Sequence, residues 1–250
     1  MNRFKTIYAA SVLILFWYLL HFLLQSGIIP SPYDTFMNFI SIFPEKLFLH
    51  LLYSLWRVAA AVGISLLLGV SFGLWLGLKD KADKFFSPIV YLLYPIPKIA
   101  FLPVFMIFFG LGDLSKIILI TAIIIFQIIV TARDSVKELT KELFYSAKSL
   151  GMNTKQIYLH VIIPAVLPKI LTALRISVGT SIAVLFLGEN FATTYGIGYF
   201  IMNSWTMVNY VEMFSGIIAL SLMGMLLFKL IDLVEDRLCL WIKAGKAENI

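Results

Sequence analysis

What most constrains this chain is a succession of long apolar runs. A helix needs about 20 mainly apolar residues to cross a bilayer. Six stretches reach that length: about Thr6–Gln25, Leu51–Leu78, Phe86–Phe109, Leu114–Thr131, Ile170–Phe191 and Phe214–Val234. Soluble domains carry roughly a quarter charged residues. Here the charged fraction is 14% and the hydrophobic fraction 60%, more apolar surface than a soluble fold of 250 residues can bury. The expected fold class is an all-α integral membrane protein with six transmembrane helices, forming a single transmembrane domain over residues 1–250. An ordinary soluble enzyme and a disordered chain are excluded. A lone cysteine, Cys239, allows no internal disulfide. His21, His50 and His160 lie far apart without ligand spacing, so no metal site is expected. The first apolar run is too long for the core of a signal peptide and reads as an uncleaved span.

The net charge is +6, and in a chain of this class the basic residues report topology rather than nucleic acid. With the N-terminus inside, the inner side receives the N-terminal tail, the loops Lys79–Lys84 and Ala132–Lys169, and the C-terminus. With Arg175 and Lys229 counted as inner-end residues of their spans, all but four of the 20 Lys and Arg then fall on that side, the exceptions being Lys46, Arg57, Lys98 and Lys116. Cytoplasmic chains are positive, so both termini are expected in the cytoplasm and the chain in a bacterial plasma membrane.

Three spans carry local signals. In the second, Ser65, Gly69, Gly73 and Gly77 recur every four residues, a face that lets two helices approach closely. The fifth has a shorter ladder, Ala173, Ser177 and Ser181. Either ladder reads as internal helix packing, or as a face lining a pathway or a subunit interface. The third contains Pro88, Pro95, Pro97 and Pro103. Proline removes a donor and disfavours the helical state of the residue before it. A broken helix near Tyr94–Leu102 is therefore expected, facing the bundle interior, where its freed carbonyls can be satisfied. Lys98 sits in this break. An intramembrane lysine is a candidate functional residue, unless it snorkels to the interface. Of the outer segments, Gly27–His50 with Pro30, Pro32 and Pro44 reads as a loop holding a short amphipathic helix. Ala192–Met213, which has no Lys or Arg, reads as an aromatic belt, an outer gate or a docking surface.

The inner loop, residues 132–169, is long, basic and mostly helical by pattern. It reads Tyr145-Ser146-Ala147-Lys148-Ser149-Leu150-Gly151, then nine residues, then Val161-Ile162-Ile163-Pro164. Gly151 interrupts a helix and Asn153 or Thr154 can cap the next. Leu150, Met152, Ile157 and Tyr158 are expected as exposed apolar knobs, which mark a partner site or a helix lying in the lipid interface.

At these residues the sequence resembles the membrane subunits of bacterial ABC importers. Their loop signature is Glu-Ala-Ala, three residues, Gly, nine residues, Ile-x-Leu-Pro. The spacing matches throughout, with Ala147, Gly151 and Pro164 identical and Val161 and Ile163 similar. Tyr145 and Ser146 replace the Glu and the first Ala, which leaves no glutamate for an ion pair to an ATPase. The segment Pro95-x-Pro97-Lys98-x-Ala100-x-x-Pro103, then Phe109-Gly110-Leu111-Gly112, is similar to the nitrate, sulfonate, taurine and bicarbonate permeases. So are Pro164-x-x-x-Pro168 with Leu174-Arg175, and Glu189 with Gly196-Ile197-Gly198. The resemblance covers about Arg57 to Trp241.

It implies a type I ABC importer permease with a coupling helix in the cytoplasmic loop. Tyr145, Ser146, Ala147, Leu150, Gly151, Met152 and Pro164 would engage a separate ATPase, which would bind the ATP and magnesium. This chain lacks the G-x-x-x-x-G-K-[ST] phosphate loop, so neither a cofactor nor a catalytic residue is expected in it. The other implied partners are a periplasmic or lipoprotein binding protein, a second permease copy and membrane lipid. Lys98, Ser177, Ser181 and Glu189 are the candidate pathway residues. The serines can equally bond within or between helices, Glu189 can bond backbone of the following loop, and Arg175 anchors its span at the inner interface. The implied substrate is a small solute, possible anions being nitrate or a sulfonate such as taurine, with a vitamin precursor or riboflavin-like solute as the alternative. Two rival classes find less support. A membrane enzyme needs a polar catalytic cluster, and a secondary transporter needs repeats and several midplane charges.

Overall fold

The computed structural model describes residues 3–24 and 27–241, the side chains of 3–6 excepted. Gln25, at the expected end of the first span, and the extreme ends of both tails lie outside the described residues. Among those described, all regular structure is helical, in the order α1 (Arg3–Leu24), α2 (Pro32–Ile42), α3 (Phe48–Leu78), α4 (Asp80–Leu93), α5 (Leu102–Phe109), α6 (Asp113–Lys137), α7 (Lys141–Ser149), α8 (Thr154–Ile157), α9 (Ile163–Glu189), α10 (Ile197–Thr206) and α11 (Tyr210–Leu238). Among the described residues, five continuous helical segments are long and apolar enough to cross a membrane. Counted as one broken span bent by 78°, α4 and the segment Lys98–Phe109 bring the number to six.

The expected loop at Gly27–His50 is instead mostly helix. Pro32 occupies a first-turn position, where a missing N–H costs nothing. Ser31 caps the helix by accepting from the Asp34 N–H at 3.0 Å. Pro44 falls at the start of a wide π turn, Phe43–Leu47, that carries α2 straight into α3. The helical segment thus runs from Pro32 to Leu78. Prolines that read as loop markers are absorbed where the helix has no hydrogen bond to lose, or where a wider turn accommodates one. The inner loop is also shorter than expected. Helix α6 continues past Thr131 to Lys137. A second π turn, Tyr158–Ile162, joins α8 to α9, so that Pro164 and Pro168 lie inside a helix spanning Thr154–Glu189.

The chain divides into two compact units, Met1–Leu55 with Phe186–Met223, and Trp56–Leu185 with Gly224–Ile250. In the first, Leu47, Ile197, Phe200, Ile201 and Ala219 form the core, with Phe39, Phe43 and Phe186 packed around them. In the second, the glycine ladder decides the packing. A β-carbon on Gly69 would sit 3.0 Å from the Ile128 Cγ2. On Gly73 it would sit 2.5 Å from the Ile129 carbonyl oxygen, and on Gly77 2.6 Å from the Val136 Cβ. The ladder is therefore an internal seam, with α3 laid parallel to α6 at backbone contact.

Candidate functional site

The loop between α6 and α9 is built as a rigid corner. Helix α7 ends at Leu150, whose N–H bonds the Ser146 carbonyl at 3.1 Å. Gly151 then adopts φ +73°, the left-handed state that ends helices and that glycine occupies without strain. The Gly151 N–H reaches Lys148 O at 2.9 Å, and the Met152 N–H reaches Ala147 O at 3.2 Å. Asn153 opens α8 with a capping box: its side chain accepts from the Gln156 N–H, and the Gln156 side chain accepts from its own N–H.

Below this corner, Ala147, Ile157, Ile162 and Val166 are buried with Leu74, Ala132 and Val136. Ile157 and Tyr158, expected as exposed knobs, pack into or against that cluster, as does Met152. The reason is that α8 continues into α9, so its apolar face joins the span's core. Tyr145 and Leu150 do project, at 63% and 80% exposure, with Ser146 and Gly151 exposed beside them. Pro164 is half-buried in the first turn of α9.

The break in the third span lies where the prolines put it. Helix α4 ends at Leu93, and a single 3-10 turn, Lys98–Phe101, precedes α5. The Lys98 ammonium folds back onto the opened backbone. It donates to the carbonyls of Leu93 at 2.8 Å, Tyr94 at 3.0 Å and Ile96 at 3.4 Å, and lies 4.5 Å from the centre of the Phe126 ring. An ammonium has three donors, and these contacts occupy them. Lys98 therefore bonds carbonyls opened at the break, that of Leu93 also accepting from the Ile96 N–H at 3.3 Å, instead of reaching for an interface.

Beside it is a cavity of about 400 Å³ whose lining includes Tyr94, Lys98, Gln127, Thr180 and Val184. Ser177 and Ser181 do not line it. Both are fully buried in helix packing. Ser181 donates to Ser177 O at 2.7 Å, and the Ser177 hydroxyl has no hydrogen-bond partner among the described residues. A helix turns about 100° per residue, which sets Thr180 and Val184 on a different face of α9 from the two serines.

Glu189 belongs to the first unit and is completely buried. Its carboxylate accepts from Ser54 Oγ at 2.8 Å and from the Gly198 N–H at 2.8 Å, at the start of α10. Ser54 Oγ in turn accepts from the Ile197 N–H at 2.8 Å. A helix start presents unpaired N–H groups and favours negative charge. A β-carbon on Gly196 would fall 2.4 Å from the Glu189 Cδ, so glycine is required for the carboxylate to fit.

Residues 65–240 match the binding-protein-dependent transport system inner membrane component family. The chain belongs to that family. The permease is 32% identical to the taurine transport system permease protein of Escherichia coli (strain K12), over 77% of this chain and 70% of that protein. It is 29% identical to the formylaminopyrimidine transport permease protein of Halalkalibacterium halodurans, over 88% of each chain. It shares its fold with a chain of the MetNI methionine ABC transporter in an inward facing conformation. That match has a TM-score of 0.60 at 19% identity and covers 77% of this chain and 97% of the other. The chain is thus the membrane subunit of an ATP-driven importer with a type I permease fold, and its relatives are transport permeases rather than enzymes. Permeases of this family work with an ATPase and a substrate-binding protein.

The permease also holds polar groups that the sequence did not single out. Asp83 accepts from Ser87, Arg133 and Lys137, tying α4 to the end of α6. Arg57, almost fully buried on α3, donates to Asp113 at 2.6 Å. Arg175 pairs with Asp232 at 2.7 Å and with Glu235, so it locks α9 to α11 in addition to any interfacial role. Each pair lies 50 or more residues apart in sequence, and only the charges themselves, rare in apolar spans, were available as a signal. Gln127 gave no signal at all until the cavity placed it.

Proposed function

We propose that this permease forms the translocation pathway for a small anionic solute of the sulfonate class and couples it to a separate ATPase through α7 and α8. The observation that carries the coupling is the exposed pair Tyr145 and Leu150 on a short helix whose exit is fixed by Gly151 and the Asn153 capping box. Exposed apolar side chains on a rigidly anchored element mark a partner site. A groove in the ATPase would grip Tyr145, Ser146, Leu150 and Gly151. Ala147, Met152 and Pro164 would transmit the push into the core beneath. ATP and magnesium would bind in the partner, whose closure would move the loop and switch the access of the pathway by two-state repacking. No cofactor is required in this chain.

A second copy of the chain, in contact with lipid, would complete the pathway, and an external binding protein would deliver solute. The excess of Lys and Arg on one side supports cytoplasmic termini in a plasma membrane. A reporter active only outside the cytoplasm, fused to the C-terminus, should stay silent. The sulfonate class is supported by the taurine relative, and the formylaminopyrimidine relative supports a neutral heterocycle as the second reading. Growth on taurine as sole sulfur source, with the permease as the only route, separates them. The coupling is tested with Gly151→Val, which forces a β-branched residue to φ +73°. The expected result is loss of ATPase co-purification and of uptake with the chain still in the membrane. Unchanged values for both would end the proposal.

A further inference from the structure

In the cavity beside the broken span, Lys98 is the formally charged residue among the described lining, and its ammonium is turned onto the backbone. The Lys98 ammonium spends its donors on the carbonyls of Leu93, Tyr94 and Ile96. Thr180 Oγ1 donates to Ile176 O at 3.1 Å and keeps only acceptor capacity. Gln127 differs from both. It lines the cavity, is half-buried, and makes no side-chain hydrogen bond among the described residues. A carboxamide carries two N–H donors and a carbonyl acceptor. With neither end engaged by protein, the amide is available to a solute that enters the space.

We infer that this cavity is an anion subsite in which Gln127 is the specificity-determining contact and Lys98 a fixed, non-contacting source of positive field. The ligand class is a small monovalent oxyanion, a sulfonate or carboxylate head group. Its oxygens accept from the Gln127 amide, while the clamped ammonium supplies charge without a direct bond. The division suits transport. A direct ammonium–oxyanion pair holds an anion tightly, whereas a neutral amide in a positive field attracts it and lets it go. The inference rests on the pathway reading given above, and it moves the specificity contact from Lys98 to Gln127.

The test uses the permease–ATPase complex in nanodiscs, with Cys239→Ser removing the native thiol. Cys239 is buried, and burial pushes its thiol up, so this change removes little reactivity. Ile123→Cys, one helical turn from Gln127 and on the same cavity, serves as reporter. Val208→Cys, in an exposed turn, serves as control. Each is labelled with a sulfonate-bearing and with a trimethylammonium-bearing methanethiosulfonate. The expected anion-to-cation rate ratio is about tenfold higher at Ile123→Cys than at the control, as a focused field gives. Adding isethionate should slow labelling of Ile123→Cys. Gln127→Leu should abolish that protection, and Lys98→Met should abolish the rate preference. Gln127→Leu leaves the backbone clamp untouched, so its result stands even where Lys98→Met does not fold. No labelling by either reagent, a ratio equal to the control, or protection that survives Gln127→Leu would each overturn the inference. Failure of the ATPase to co-purify would count against the coupling reading alone, because labelling is read on the permease itself.

Discussion

The glycine seam and the proline break lie in the same unit of the molecule, and they open and close space by opposite means. Along α3, side chains are deleted, and the backbone of α6 moves into the vacancy until Gly73 stands against the Ile129 carbonyl. At Tyr94–Pro97, backbone donors are deleted. The chain turns through 78°, and a lysine is needed to satisfy what is left open. The seam is apolar and without slack. The break is polar and borders a cavity of about 400 Å³. In lipid, where burying apolar surface does not by itself drive helices together, close approach has to come from small residues. Open, solvated space has to come from broken helices. The comparison teaches that this permease keeps its fixed parts and its cavity apart by choosing glycine for one and proline for the other.

The largest effect should come from attacking the seam at its tightest point. Gly73→Val pushes a side chain into backbone that cannot rotate away. It should cost more than about 3 kcal/mol and leave little folded protein on size-exclusion chromatography. Next should come the break: Lys98→Met strips the Tyr94 and Ile96 carbonyls of their ammonium donor and leaves the Leu93 carbonyl with the Ile96 N–H alone, at a cost of about 2 kcal/mol, read as a lower unfolding temperature in detergent, and Lys98→Arg should recover part of it. Gly69→Ala meets the Ile128 side chain at 3.0 Å and the Ile125 carbonyl oxygen at 3.3 Å, a looser fit than at Gly73, so a loss of about 1 kcal/mol is expected. Gly63 completes the comparison, since it lies on the same helix but faces open space. Gly63→Ala should be neutral or raise stability by about 0.5 kcal/mol. A destabilisation at Gly63 as large as that at Gly69 would show that the seam is not what makes the ladder special.

The proline break was legible because proline acts on its own backbone, wherever the rest of the chain goes. The helix–glycine–helix corner was legible for the same reason, Gly151 and Asn153 being local punctuation. The ladder announced a close contact but not its partner, because α6 answers with Ile128, Ala132 and Val136, which share the four-residue spacing but are ordinary apolar residues that do not stand out in an apolar span. Ile157 and Tyr158 were misread as exposed because the π turn that fuses α8 to α9 leaves no mark in composition. Pro44 misled in the same way at the other π turn. The pairs Arg57–Asp113 and Asp83–Arg133 depend on how separate helices meet, and no local pattern encodes that.

The closeness at Gly73 also limits how the permease can move. Two surfaces with less than a methyl group's room between them cannot slide or roll past each other without first coming apart. Helices α3 and α6 must therefore travel as a single strut through any transport cycle. The joints have to lie elsewhere, at the extended Lys79 link and at the non-helical stretch from Tyr94 to Pro97. Three missing side chains thus reduce the degrees of freedom of the machine as effectively as a cross-link would.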